Sequence, residues 1–157
     1  MSPPTINDIC PAFHLRLAAR SISQYFDTIL RINDVQVRIG QLMLLEHLNA
    51  HPDSSSSFIG KTIGTHHSTI SRLLKPLENY GWISNEHTKG GKKKRDNRYT
   101  LSDTGKQLLD NAKLYWTAAI DEVATSFGAA RYEALITELC QFSKIVHKLC
   151  QESTKRE

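Results

Sequence analysis

Apolar positions recur at three-to-four spacing through most of the chain and alternate in only one short stretch. Between residues 9 and 32, Phe13, Leu17, Ile22, Phe26, Ile29 and Leu30 share one face, which predicts a long amphipathic helix. Asn7 or Asp8 can cap it, Pro11 suits its first turn, and Asn33-Asp34 ends it. A second helix is predicted from about Ile39 to Ala50, with Leu42, Leu45 and Leu48 along it. His51-Pro52-Asp53 and the run Ser54 to Ser57 read as a turn and a polar loop. Ser57 is then the expected cap of a short helix, Phe58 to Ile63. Gly64-Thr65 is a turn, and Thr65 caps a further helix reaching about Tyr80. That helix has a predicted buried face of Ile70, Leu73, Leu74 and Leu77, at i, i+3, i+4 and i+7. Its other face holds Ser68, Ser71, Arg72, Lys75 and Asn79. Pro76 predicts a bend, because an interior proline removes one helical hydrogen bond. Gly81 suits the helix end.

Two short helices joined by a tight turn, the second polar and basic outside, form a helix-turn-helix pattern. Trp82 to His87 reads as a strand, Thr88 to Lys94 as a Gly- and Lys-rich tip, and Arg95 to Leu101 as a returning strand. A hairpin placed straight after a helix-turn-helix is a wing. Two long helices follow, about Ser102 to Phe127 and Ala130 to Glu152, separated by Gly128. The predicted fold is mainly α with a small β wing: a winged helix-turn-helix flanked by long dimerisation helices. The expected division is an N-terminal dimerisation helix over 1–33, a winged helix-turn-helix over 34–101 and C-terminal dimerisation helices over 102–157.

Charge sharpens this picture. The chain has 157 residues and a formal net charge of +4. Residues 61 to 98 hold nine Lys/Arg against three acids, a local +6 that leaves −2 for all the rest. A basic stripe concentrated in this way is the electrostatic footprint of a polyanion partner, since neutralising phosphates releases counterions. A solvated loop kept soluble by its lysines would have the same composition. No apolar run approaches the roughly 20 residues needed to span a bilayer. The start, Met1-Ser2-Pro3-Pro4-Thr5, has neither a basic region nor an apolar stretch after it, so no secretory signal is expected. Three scattered cysteines do not make a disulfide scaffold, and a cytoplasmic protein with reduced thiols is expected. There is no G-x-S-x-G, phosphate loop, H-E-x-x-H or recognisable carboxylate pair, so no enzyme activity and no cofactor are expected.

The order of elements, together with particular residues, resembles the MarR family of winged-helix transcription regulators. The residues that carry the resemblance are Ile63-Gly64-Thr65-His66-His67-Ser68-Thr69-Ile70-Ser71-Arg72-Leu73-Leu74-Lys75-Pro76-Leu77-Glu78, then Gly81-Trp82-Ile83 and Leu101-Ser102-Asp103-Thr104-Gly105. Cys10 to Arg20 and Tyr115-Trp116-Thr117-Ala118-Ala119 add to it. The resemblance implies a homodimer knit together by the first, fifth and sixth helices. It also implies a recognition helix from Thr65 to Tyr80 in the major groove and a wing tip on backbone or minor groove. Many such proteins respond to small aromatic acids or phenols, and some to thiol oxidation. In one respect the chain departs from the family pattern. The wing usually carries Asp-x-Arg ahead of the next helix; Arg95 stands at the arginine position, but Lys93 stands where the acid would be.

Site expectations follow. His67, Ser68, Thr69, Ser71, Arg72 and Lys75 are expected to meet double-stranded DNA, with hydroxyls donating to phosphates or base edges and Arg72 able to bond a guanine bidentately. Lys92, Lys93, Lys94, Arg95 and Arg98 are expected on phosphates or in the minor groove, giving affinity more than sequence choice. Phe13, Arg16, Tyr115 and Trp116 are candidates for an effector pocket, because an arginine beside aromatics suits a carboxylate; core and interface packing is the other reading. Cys10, Cys140 and Cys150 are the redox candidates. Cys140, His147 and Cys150 share one helical face, which is also open to zinc binding or to simple packing. Two rival readings remain at this level: a winged-helix module that docks a protein and ignores DNA, and a metal- or thiol-based sensor.

Overall fold

The computed structural model describes residues 5–64, 67–87 and 97–154, with side chains throughout except those of His67, Ser68, Glu86 and His87. The expected cap Thr65 and the wing tip with Lys92, Lys93, Lys94 and Arg95 lie outside the described residues. The chain divides into two compact units, Met1–Trp116 and Thr117–Glu157.

In the first unit the expected opening helix is two: α1, Ile6–Ile9, and α2, Pro11–Ile32. Cys10 separates them in an extended conformation, φ −81° and ψ 113°. The reason is local: Pro11 at the first helical position disfavours helical geometry in the residue before it. Neither Asn7 nor Asp8 caps α2. Asp8 instead accepts from the Thr5 hydroxyl and N–H, each at 2.7 Å, at the start of α1. Those two bonds, the hydroxyl's first, hold the Asp8 carboxyl below the usual carboxylate range. Only the C-terminal part of the α2 apolar stripe is covered, with Leu30 buried and Phe26 packed against the core. Phe13 and Leu17 stay exposed.

Helix α3, Ile39–Ala50, buries Leu42, Leu44, Leu45 and Leu48. Its start is held from a neighbouring helix, for Ile39 N–H donates to Asp27 Oδ1 at 2.7 Å. The serine run is not a plain loop. Ser54–Ser55 form a short strand, β1, and Ser56–Ile63 form α4. Ser55, not Ser57, is the cap, its hydroxyl accepting Phe58 N–H at 3.2 Å. Gly64 leaves α4 with φ +72°, a left-handed conformation that glycine enters without steric cost.

Helix α5, His67–Asn79, buries Ile70, Leu74 and Leu77 completely. Leu73, expected beside them, is 40% exposed, because 100° per residue places it on the flank of that stripe. The helix is not interrupted at Pro76, and Tyr80 N–H donates to Pro76 carbonyl at 3.0 Å. A single lost bond is tolerated where Leu74 and Leu77 anchor both sides. Strands β2, Ile83–His87, and β3, Asn97–Leu101, pair antiparallel from Ile83↔Leu101 to His87↔Asn97. With β1 they make a three-stranded sheet in the order β1-β3-β2. Tyr99 and Leu101 alternate inward and join the core.

Helix α6, Asp103–Phe127, begins on a tight joint. The Ser102 and Thr104 hydroxyls both donate to the Gly81 carbonyl, at 2.6 and 2.8 Å. Ser102 N–H donates to the Trp82 carbonyl at 3.0 Å, and Ser102 Oγ accepts Gly105 N–H at 3.0 Å. Gly105 is required by space: a Cβ there would overlap the Trp82 carbonyl oxygen and stand 2.9 Å from Leu101 Cδ1. Further along α6, Lys113 pairs with Glu46 of α3 at 2.6 Å.

The second unit holds the rest of α6 and α7, Ala129–Thr154, joined through Gly128 at φ +93°. Arg131 lies over the Phe127 ring, 4.4 Å from its centroid. No residue of α7 is buried within the chain; Leu135, Ile136, Phe142, Ile145 and Leu149 are all exposed. Among the described residues no helix is long and apolar enough to cross a membrane.

Candidate nucleic-acid interface

The core stripe of α5 decides what its other side presents. With Ile70, Leu74 and Leu77 turned inward, Thr69, Ser71, Arg72, Lys75 and Asn79 are exposed. The backbone of His67 and Ser68 forms the first turn of the same helix. Lys75 remains 69% exposed and lies 3.7 Å from Glu78, a loose surface pair. A rigid helix with hydroxyls and cations outward, preceded by a turn and a shorter helix, can enter a major groove and offer donors to phosphates and base edges. The sheet holds its pair of wing strands directly after this helix.

Arg98 is placed differently from the other cations described. It lies on β3, and its Nη1 donates to the Asp53 backbone carbonyl at 2.8 Å with the Asp53 carboxylate 3.4 Å away. No local pattern marks this partner, which lies 45 residues earlier in the chain.

The effector candidates are separated. Tyr115 and Trp116 pack against the core, whereas Phe13 and Arg16 are exposed on α2. Phe13 meets the edge of the His14 ring, centroids 5.5 Å apart. Trp116 lines a cavity of about 430 Å³ with Met43, Glu46, His47, His51 and Ile63, and neither Phe13 nor Arg16 reaches it. Beside that cavity, His47, His51 and Phe58 form an aromatic cluster that the sequence did not reveal. The His47–His51 centroids are 5.0 Å apart, and each ring is 5.7 Å from Phe58. The four-residue spacing of the two histidines was a signal; the partnership with Phe58 crosses a turn and was not. Burial, and then the neighbouring His51, push the His47 pKa below its usual value. His47 Nε2 is buried with no hydrogen-bond partner among the described residues.

Cys10 is half-buried at the start of α2, and Cys140 and Cys150 are exposed free thiols on α7. His147, between them, has its Nε2 2.9 Å from the Gln151 side-chain nitrogen. Among the described residues no three His, Cys, Asp or Glu side chains are grouped to hold a metal ion.

Residues 37–94 match the family model described as MarR family. No curated sequence is similar enough to the chain to match it. Solved structures match over nearly its whole length. The transcriptional repressor CouR bound to a 23-mer DNA duplex is 21% identical, with 90% of this chain and 99% of that one covered at a TM-score of 0.74. The transcriptional regulator MosR of M. tuberculosis in complex with DNA is 25% identical, over 87% of this chain and 98% of that one, at a TM-score of 0.72. The PcaV transcriptional regulator from Streptomyces coelicolor, in complex with its natural ligand, is 14% identical, over 92% and 98%, at a TM-score of 0.74.

Proposed function

We infer that this chain, whose residues 37–94 match the MarR family model, is a member of that family and a transcription regulator that binds double-stranded DNA as a homodimer. The observation that carries the reading is the division of α5. Three fully buried residues lock one face to the core, and the opposite face offers Thr69, Ser71, Arg72 and Lys75 to solvent. This face lies within the segment that holds a local charge of +6. The DNA-bound structures of CouR and MosR, with which the chain shares its fold, support the same use of it. In this reading His67, Ser68, Thr69, Ser71, Arg72 and Lys75 meet the major groove. Lys92, Lys93, Lys94 and Arg95 hold the backbone or minor groove.

The partner helices are α2, α6 and α7. Their exposed apolar residues, Phe13, Leu17, Ile145 and Leu149 among them, are the surface that a second copy covers. A dimer sets two α5 helices about 34 Å apart, one turn of duplex, and so reads a pseudo-palindromic operator. The division into dimerisation segments at 1–33 and 102–157, around a DNA-binding part at 34–101, goes with this reading. Repression, relieved by a small aromatic ligand, is the favoured mode. The cavity beside Trp116 supports a ligand-responsive protein, as does the ligand-bound PcaV structure. A ligand acts by changing the spacing of the two α5 helices; equal spacing with and without a true effector would count against that step. Thiol oxidation at Cys10, Cys140 or Cys150 is the second reading of the trigger, favoured by the exposure of the latter two.

The test is selection from pooled random duplexes at several salt concentrations. Enriched inverted repeats are expected, with log affinity falling against log salt at a slope of about −5 or steeper. The double variant Arg72→Ala/Arg95→Ala should lose this binding and remain dimeric. Binding that is unselective and flat with salt would turn the reading toward a protein-docking module.

A further inference from the structure

Arg98 stands among the cations expected on DNA, yet its guanidinium already has a partner within the protein. Nη1 donates to the Asp53 carbonyl at 2.8 Å and approaches the Asp53 carboxylate to 3.4 Å. Asp53 adopts φ +57°, a left-handed conformation that aspartate tolerates better than most residues. The two residues after it pair with β3, Ser54↔Tyr99 and Ser55↔Arg98. Ser55 then caps α4. One short run is therefore tied at once to the returning wing strand and to the first helix of the helix-turn-helix. A strand of two residues has few ladder bonds with which to hold its register, and a slip of one residue would reverse its faces. The Arg98 bond to Asp53 supplies a third fixed point beyond the strand's end.

Charge makes the arrangement informative. A carboxylate beside a DNA-binding surface repels the duplex, and by charge alone its removal should tighten binding. Paired with Asp53, Arg98 adds little net attraction for a phosphate. We propose that Asp53 is a positioning residue for DNA binding: with Arg98 it braces β3 against the start of the helix-turn-helix, and Arg98 acts through this brace. The inference rests on the DNA-binding reading above.

The experiment measures operator affinity at fixed salt for the full chain, for Asp53→Gly, for Arg98→Ala and for the double variant, with folding checked by circular dichroism in the same buffer. Glycine keeps access to the positive φ while removing the carboxylate. Asp53→Gly should weaken binding about two- to fivefold, the scale of one surface pair. The double variant should bind no more weakly than Arg98→Ala alone, since the two residues act as one unit. Tighter or unchanged binding by Asp53→Gly, or losses that add in the double variant, would overturn the brace. If Asp53→Gly does not fold, Asp53→Asn gives the same opposed signs, weaker for the brace and tighter for charge alone. Amide exchange in the free protein separates this failure from failure of the functional reading. Both single variants should speed exchange at residues 97–101 whether or not the protein binds DNA, and unchanged exchange there would also overturn the brace.

Discussion

Gly105→Ala is the sharpest test of how α6 is seated. On an ordinary helix this substitution stabilises by about 1 kcal/mol, through helix propensity. Here the added methyl would overlap the Trp82 carbonyl oxygen and meet Leu101 Cδ1 at 2.9 Å, and both neighbours belong to the packed sheet end. The start of α6 must lift away. Three hydrogen bonds span that gap: Ser102 N–H to Trp82, and the Ser102 and Thr104 hydroxyls to Gly81. At about 1 kcal/mol net for each, their loss costs about 3 kcal/mol. Subtracting the propensity gain leaves a destabilisation of about 2 kcal/mol, or a fall in Tm of about 4–8 °C for a chain of this size. Thermal melts of both proteins at one matched concentration would measure it. A variant as stable as the parent, or more so, would mean that the joint has slack and that the hydroxyl bonds to Gly81 do not hold it.

Two further outcomes follow from the same structure. His47 has a folded pKa below its unfolded value near 6.5, so the unfolded chain takes up the proton first. Stability should be full above about pH 6.5 and fall as pH drops from there toward the lowered folded value; His47→Phe should flatten this dependence in urea melts, and a dependence unchanged by the variant would refute the assignment. Ile145→Glu/Leu149→Glu places two charges on the exposed α7 face and should give monomers in sedimentation with secondary structure retained; a dimer surviving the double change would move the interface elsewhere.

What the sequence disclosed depended on how local each cause was. The α3 bounds followed from periodicity alone, as did the inward turn of Ile70, Leu74 and Leu77. The break at Cys10 was also written locally, in Pro11, but the longer apolar stripe masked it. Leu73 shows the limit of counting in threes and fours, because a residue at the stripe's margin is buried only if something covers that flank. The serine run read as a loop because its reason for being a strand is β3, more than forty residues away. Distance along the chain likewise hid the Asp53 partner of Arg98, and an intervening turn hid the place of Phe58 beside two histidines. Of the candidate site, the α5 face was legible because one helix carries all of it. The separation of Phe13 and Arg16 from the cavity beside Trp116 was not, since a spacing rule says nothing about which helices meet.

Pro76 has one more consequence. Its ring nitrogen has no hydrogen, so the carbonyl of Arg72, one turn earlier on α5, lacks the helical donor it would otherwise have. An acceptor opened in this way on an exposed stretch of helix is satisfied by solvent. The helix that carries Arg72 thus leaves one backbone acceptor without its helical donor at that residue.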